Sequence, residues 1–430
     1  MLRRLDLRGV TDLYGRLPRP QVDAGEPVAA VREILAAVRE RGDDAVRDYT
    51  ERFDGVRLDE LRVPHDEIRA ALEGLDPALH DALEAARAGI DDFHRARRPG
   101  DHHYEREGIV VDSVVRPVDR AGCYVPGGRA RYPSTVLMTA VPARVAGVPE
   151  VVLCVPPDDT GAVPAVTLAA AALAGVDEVY RVGGAQAIAA LAYGTASVPA
   201  VDVIVGPGNV YVAIAKREVA GEGRVGVPSA FAGPSEIVVV ADATAPVDLA
   251  AVDLLVQAEH GPDGLAWLVT WDEAVADAVA AAAARLAAAA PRRADMEATL
   301  AEGGIVALVD DAAAAMKVAN LIAPEHLQLM TADPAALVAL VAHAGAVFCG
   351  PWAPASLGDY LAGPSHVLPT SGSARFSSAL TVDDFTTQSH VITADRPAFE
   401  KVAPHLEALA TAEGLAAHAL SARLRRDAPR

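Results

Sequence analysis

VVLCVPPDDTGAVPAVTLAAAALAGVDEVYRVGGAQAIAALAYGTASVPAVDVIVGPGN, residues 151–209, decides the fold class. Three short apolar runs rich in β-branched residues stand in it: VVLCV (151–155), EVYRV (178–182) and VDVIV (201–205). Between them lie the Ala-rich segments AVTLAAAALAG (165–175) and AQAIAALAYG (185–194), which read as helices. Strand alternating with helix at this spacing predicts a parallel sheet, because each crossover lays a helix on one face and both faces then leave water. The texture continues downstream in EIVVV (236–240), LAWLV (265–269), GIVALV (304–309) and AVFCG (346–350), with DLAAVDLLVQAEH (248–260) as a helical partner. Two α/β lobes are therefore expected, at 121–234 and 235–380.

Outward from these lobes the pattern changes. Residues 1–120 are charged and mostly helical in pattern, as in PVAAVREILAAVRERGDDAVRDYTERFD (27–54). Residues 350–380 are rich in Gly, Pro and Ser, and the tail ends in the helical LAAHALSARLRR, too small to fold alone. The whole chain has 430 residues, 51% hydrophobic and 22% charged, with aromatics at only 4%, so Ala, Val and Leu must fill the cores. A net charge of −20 argues against nucleic acid or an acidic membrane surface as partner. Cys123, Cys154 and Cys349 lie in no CxxC pair and are odd in number, which points to a reducing, cytoplasmic compartment. MLRRLDLRGV has no apolar run behind its charges, so no signal peptide is read. Residues 334–358 contain no charged side chain, yet Asp333-Pro334 reads as a helix start, Gly345 as a stop and AVFCG as a strand, so no membrane span is expected.

Three Gly-rich turns compete as nucleotide cradles: GCYVPGGRARYPS (122–134), VGGAQ (182–186) and VGPGN (205–209). None completes GxGxxG, since Tyr211 stands where the third Gly would be, and ordinary βα turns are the plain alternative. Gln257 and His260 are i and i+3 near the end of one helix and share a face. With Asp359, His366 and His418 they make a mixed N/O donor set suited to zinc, although any one alone is more often a surface or hydrogen-bonded residue. Glu325 and His326 are adjacent, so both can serve one site only from an irregular, Pro324-initiated turn. No HExxH or GxSxG occurs. Cys154 and Cys349 sit in apolar strand runs as inert packing, and Cys123, beside a Gly-rich turn, is the better nucleophile candidate of the three.

Taken together, CYVPGGRARYPSTVLMTAVPARVAGV, VGGAQAIAALAYGT, GPGNVYVAIAKREV, AGPSEIVVVAD, LLVQAEHGPDG, APEHLQL, GPWAPASLGDYLAGPSHVLPTSGSARFSSALTVDDF and EGLAAHALSAR closely resemble the histidinol dehydrogenase family, in family order from about 122 to 423. The resemblance implies two Rossmann-like (incomplete, doubly wound) lobes: 121–234 binding NAD, and 235–380 carrying zinc and catalytic residues. It also implies a helical N-terminal region, 1–120, packing on the second lobe. Residues 381–430 become a C-terminal dimerisation arm that completes the partner's site in a homodimer. The implied activity is histidine biosynthesis by two sequential NAD-dependent oxidations of L-histidinol through L-histidinaldehyde to L-histidine, with one zinc ion per subunit. By motif match the metal ligands are Gln257, His260, Asp359 and His418, and the catalytic pair is Glu325 and His326. Ser235 and Glu413 contact substrate together with the ligand residues and His326; His366 lines the same pocket. Tyr124, Gln186 and Asn209 contact NAD.

The chemistry of this set follows from the residue types. Loss of hydride from an alcohol carbon requires loss of the hydroxyl proton, and a base near neutral pKa, His326, suits that role. The second oxidation requires water added to the aldehyde, a task for Glu325. With one anionic ligand the zinc site stays positive, so the metal serves to hold the substrate more than to activate water. Glu413 and His418 are five apart, about 140° around an ideal helix, so Glu413 is expected to precede the helix with Gly414 at its entry. The run VGVPSAFAGPSE lacks an acidic residue common before AGPSE, and Thr386-Thr387-Gln388 replaces a more basic stretch. The alternative reading is a related zinc/NAD dehydrogenase for another polar alcohol; a zinc hydrolase and an inactive metal-binding protein are further ones.

Overall fold

The computed structural model describes residues 2–18, 25–127, 131–228, 234–261 and 264–429. The Gly-rich residues 128–130 and the altered stretch 229–233 before Ser235 lie outside them. The chain divides into two compact units, Met1–Arg97 with Val118–Phe385, and Arg98–Pro117 with Thr386–Arg430.

The first unit holds two parallel sheets. One is built from β4 (Arg120–Tyr124), β5 (Glu150–Val155), β6 (Glu178–Arg181) and β7 (Val203–Val205), in the order β6-β5-β4-β7. The other contains β1 (Arg3–Asp6), β8 (Glu236–Ala241), β9 (Leu265–Thr270), β10 (Gly304–Leu308), β11 (His326–Met330) and β12 (Ala346–Cys349), in the order β1-β10-β9-β8-β11-β12. All pairings within both are parallel. In each sheet the order runs outward in one direction from the first long strand of its lobe, β4 or β8, and then jumps to that strand's other side. That reversal is the topological signature of a doubly wound sheet. β8 and β9 are buried along their whole lengths, as strands covered on both faces must be.

The expectation that residues 1–120 pack on the second lobe holds only for the first stretch, where β1 pairs with β10 and Leu7, Leu13 and Leu17 join that lobe's core, and fails for the helices that follow. The helices Gly25–Arg41 and Asp43–Asp54 pack on Gly184–Tyr193, and Gly25–Arg41 packs also on Val210–Gly221; His65–Glu73 and Pro77–Ala96 pack on Ala165–Leu173 and Pro133–Ala146. The reason lies in the first lobe's own helices. Gly184–Tyr193 is apolar but for Gln186 and Tyr193 and buried from Ala185 to Ala192, so it needs an outer layer. Val31, Ile34, Leu35 and Val38 supply that layer on one side of the sheet, and Ile68, Leu83 and Ile90 on the other.

The second unit is an antiparallel sheet, β2 (His102–Arg106), β3 (Ile109–Pro117) and β13 (Thr386–Ala394), in the order β13-β3-β2, with the helices Arg396–Ala412 and Ala416–Arg426. The tail folds by recruiting residues 102–117, which the mostly helical reading of 1–120 did not separate out. Glu107 (φ 56) and Gly108 (φ 81) form the two-residue turn between β2 and β3, both central residues having the positive φ that such a hairpin turn demands. The helix starting at Pro334 is capped by Asp333 as expected but ends at Val338, short of Gly345. Among the described residues no helix is long and apolar enough to cross a membrane.

Candidate active site

At the amino end of the second sheet, the helix Ala312–Ile322 closes on Ala323 in the left-handed region (φ 50), and Pro324 then redirects the chain into β11. Glu325 sits in this turn and His326 is the first strand residue, so the two adjacent side chains come together, with His326 Nδ1 3.5 Å from Glu325 Oε2. Both are anchored on Glu236, the first residue of the neighbouring β8. The Glu236 N–H donates to Glu325 Oε2 (2.9 Å), and the His326 ring donates from Nδ1 to the Glu236 carbonyl oxygen (3.1 Å). His326 stacks on Phe348, ring centroids 5.8 Å apart, and its Nε2 lies 3.4 Å from Asp359 Oδ1. Burial opposes a charge on His326, but the carboxylates of Glu325 and Asp359 outweigh it and push the imidazole up to about 10. Burial likewise opposes the charge on Asp359, yet His326, with His366 and His260, holds it below the ordinary carboxylate range.

Gln257 lies in the last turn of the helix Val247–Ala258, which runs back from β8 to the same rim, and His260 stands two residues beyond its end, so the two do not share a face of one helix as expected. The hydroxyl of Ser235, the residue before β8, lies 2.9 Å from His260 Nδ1. Gln257 is 1% exposed, and neither atom of its amide has a hydrogen-bond partner among the described residues. A buried, unpartnered amide is costly, and coordination of a cation by its oxygen relieves that cost. Among the described residues no three His, Cys, Asp or Glu side chains converge to hold a metal by themselves. With Gln257 as a neutral oxygen donor, His260 and Asp359 nevertheless form an N/O set that fits zinc.

His366 does not present a free ring to this pocket. Its Nδ1 donates to the Asp359 carbonyl oxygen (2.9 Å) and its Nε2 meets the Thr135 hydroxyl (3.0 Å), so it ties the 359–366 loop to the helix Pro133–Ala146. Glu413 and His418 belong to the second unit. Glu413 closes the helix Arg396–Ala412, Gly414 (φ 74) turns the chain, and His418 lies in the first turn of the last helix; both side chains are exposed.

The other predicted group lies at the carboxyl end of the first sheet. Tyr124 ends β4, is 3% exposed, and its hydroxyl accepts from the Gly184 N–H (3.1 Å). Gln186, in the first turn after β6, is 1% exposed with both amide atoms unpartnered among the described residues. A Cβ on Gly184 (φ +63) would lie 2.6 Å from Gln186 Oε1, so the glycine makes room for that amide. Asn209 caps the helix Val210–Gly221 through Oδ1 to the Val212 N–H (3.1 Å). A second buried amide without a partner fits a bound dinucleotide here.

Cys123 and Cys154 are not nucleophiles of this site. Cys123 is fully buried with its thiol pushed up to about 12 by burial, and Cys154 is pushed up in the same way. Cys349, expected in the core, is exposed because β12 is an edge strand with alternating burial. Sequence reasoning missed Glu236 as the anchor of the pair and Phe348 as the ring beneath His326. A carboxylate opening the apolar run EIVVV was the available signal for the first; nothing local marked the second.

A family model described as Histidinol dehydrogenase matches residues 17–426. Among curated proteins, the histidinol dehydrogenase of Parasynechococcus marenigrum is 51% identical over 393 residues, covering 91% of this chain and 89% of that one. The histidinol dehydrogenase of Moorella thermoacetica is 50% identical over 409 residues, covering 94% and 96%. Among solved structures, histidinol dehydrogenase from Elizabethkingia anophelis superposes with a TM-score of 0.94 at 33% identity, covering 99% of this chain and 98% of that one.

Proposed function

The chain belongs to the histidinol dehydrogenase family, and from that premise we propose that it oxidises L-histidinol through L-histidinaldehyde to L-histidine in two NAD-dependent steps. The observation that carries the reading is the Glu325–His326 pair, anchored on Glu236 and facing Asp359 within a full-length family match.

A carbonyl oxygen can only accept, so the bond to Glu236 keeps one proton of His326 on Nδ1. Beside the bare carboxylates of Glu325 and Asp359 the ring holds a second proton on Nε2, and a zinc ion offsetting the charge of Asp359 would free Nε2 to act as the acceptor. His326 takes the substrate hydroxyl proton at Nε2 as the carbon loses hydride. In the second oxidation Glu325, oriented through Oε2, takes a proton from the water that adds to the aldehyde at its other oxygen. NAD, when bound, would supply the electron acceptor, taking one hydride from carbon in each oxidation. Zinc, one ion per subunit held by Gln257, His260, Asp359 and His418, would supply a positive charge that orients the substrate's nitrogens and offsets the charge of Asp359. Ser235 and Glu413 would contact the substrate, and Tyr124, Gln186 and Asn209 would contact NAD.

The exposure of Glu413 and His418 supports a homodimer in which each tail completes the other subunit's site. On the same two helices Leu409, Leu420 and Leu424 are 66%, 46% and 63% exposed, an apolar set suited to an interface. A cytoplasmic setting fits a chain with three free thiols. The test is NADH formed per L-histidinol consumed, before and after removal of metal by a chelator. Two NADH, lost on stripping and restored by zinc, supports the reading; no NADH from zinc-loaded protein overturns the substrate.

A further inference from the structure

Lys216 is one of only three lysines in the chain, with Lys317 and Lys401, and it is 1% exposed. It lies on the helix Val210–Gly221, and its Nζ donates to the carbonyl oxygen of Gly206, at the end of β7. No carboxylate pairs with it among the described residues. The titratable group felt most closely is the neutral thiol of Cys123, and burial pushes the amine down to about 7. A buried ammonium without a counter-ion is costly, which makes its placement informative.

That placement is the junction of β4 and β7, where the strand order of the first sheet reverses. Open α/β sheets bind ligands outside the carboxyl ends of their strands at such a junction. The backbone there is tightly set. Gly206 has φ +107, and a Cβ on it would lie 2.0 Å from the Tyr124 carbonyl oxygen, so the β7 turn rests directly on the end of β4. The Tyr124 hydroxyl reaches on to the Gly184 N–H, and the unpartnered amide of Gln186 lies beside it. A carbonyl oxygen at this turn would repel a phosphate; the amine engaged on it, in its protonated form, cancels that repulsion and puts a positive charge under the turn, and a bound diphosphate would itself favour that form.

We propose that Lys216 is a positioning residue for the dinucleotide, fixing the Gly206 turn through its carbonyl and supplying the charge that draws the diphosphate to the β4–β7 junction. The inference rests on the NAD reading above and adds to it a residue that never touches the reacting atoms.

With only three lysines, protein carrying [13Cε]lysine gives three ε-methylene signals, and Lys216→Arg assigns one of them. ADP-ribose, which carries the diphosphate without nicotinamide, should shift the Lys216 signal and leave those of Lys317 and Lys401 in place; L-histidinol alone should shift none. Lys216→Gln keeps an N–H donor for Gly206 but no charge. It should raise the KM for NAD roughly 10- to 100-fold, the size of a charged hydrogen bond, with the KM for L-histidinol and the kcat at saturating NAD retained. Lys216→Arg should recover part of the loss. A purely structural lysine would lower Tm without moving the KM for NAD, and that result overturns the proposal. An unshifted Lys216 signal at saturating ADP-ribose also overturns it, and does so in the wild-type protein even if the Gln variant fails to fold. Absence of any NAD or ADP-ribose binding by the wild-type chain in calorimetry removes the NAD reading itself, and this inference with it.

Discussion

His326 Nδ1 lies 3.1 Å from the carbonyl oxygen of Glu236, and this one contact decides which ring nitrogen can work as a base. Because the anchor is backbone, no substitution at Glu236 can delete the acceptor. His326→Asn should leave substrate binding in place and lower kcat by ~10²–10⁴-fold, the usual contribution of a positioned base. A loss confined to KM, measured in steady-state assays, would remove His326 from that role.

Glu325→Gln should separate the two oxidations. The amide oxygen can still accept from the Glu236 N–H, so the turn survives, but the group no longer takes a proton from water. The NADH yield per L-histidinol should fall from two toward one, with aldehyde trapped by semicarbazide. An unchanged yield of two would show that water is activated elsewhere.

Gln257→Leu should have two opposed effects. Removing an unpartnered buried amide should leave the metal-free protein as stable or raise its Tm, since apolar replacement of an unsatisfied group is neutral to favourable. Zinc affinity, measured by competition with a chelating dye, should fall at least ~10-fold. A fall in metal-free Tm with zinc affinity intact would mean that the amide serves packing alone.

Mixed dimers test the shared site. If each tail completes the other subunit's site, a dimer of one His326→Asn chain and one His418→Ala chain has one site with both defects and one with none. Random re-association of the two inactive homodimers should then restore about one quarter of wild-type activity per chain. Continued inactivity, with mixed dimers verified by mass spectrometry, would place both residues in the same subunit's site.

Acid stability should depend on His94. This ring is fully buried with neither nitrogen partnered among the described residues, and burial, aided by Arg97, holds its pKa down to about 4. The unfolded chain takes up the proton near pH 6.5, so the native state loses stability as pH falls from about 6.5 to 4, in total by roughly 3 kcal/mol. His94→Leu should flatten that limb of a urea-stability profile and change little at pH 8. An identical acid limb would assign the loss to other groups.

The lobes were legible because their strands are buried on both faces. VVLCV, EVYRV, VDVIV, EIVVV, LAWLV and GIVALV need no partner to be read, and all fall on strands of the parallel sheets. β4 and β11 were not read although they are buried, because RAGCY and HLQLM carry Arg, Gly, His and Gln that break the apolar run. β1, β2, β3 and β13 were not read either: their burial is partial or absent, and β3 meets β13 across about 270 intervening residues, so no local pattern announces the pair. The outer helices were visible as helices, but the lobe they cover depends on how apolar the helices beneath them are, a tertiary fact. At the site, residue types and motif spacing singled out Glu325, His326, Gln257, His260 and Asp359. The hub at Glu236 stayed hidden because it acts through main-chain N–H and C=O, which every residue carries.

The two sheets use opposite ends of their strands. The first presents the carboxyl ends of β4 and β7, where the following helices begin, as at Gly184 and Asn209. The second presents the amino ends of β8 and β11, where the helix Val247–Ala258 finishes at Gln257. Helix starts carry a partial positive charge and helix finishes a partial negative one. One rim is therefore polarised toward anions and the other toward cations before any side chain is counted. Two halves of like topology become electrical complements simply by being approached from different poles, which suits one to the proposed dinucleotide and the other to the proposed metal and amine before their side chains add to it.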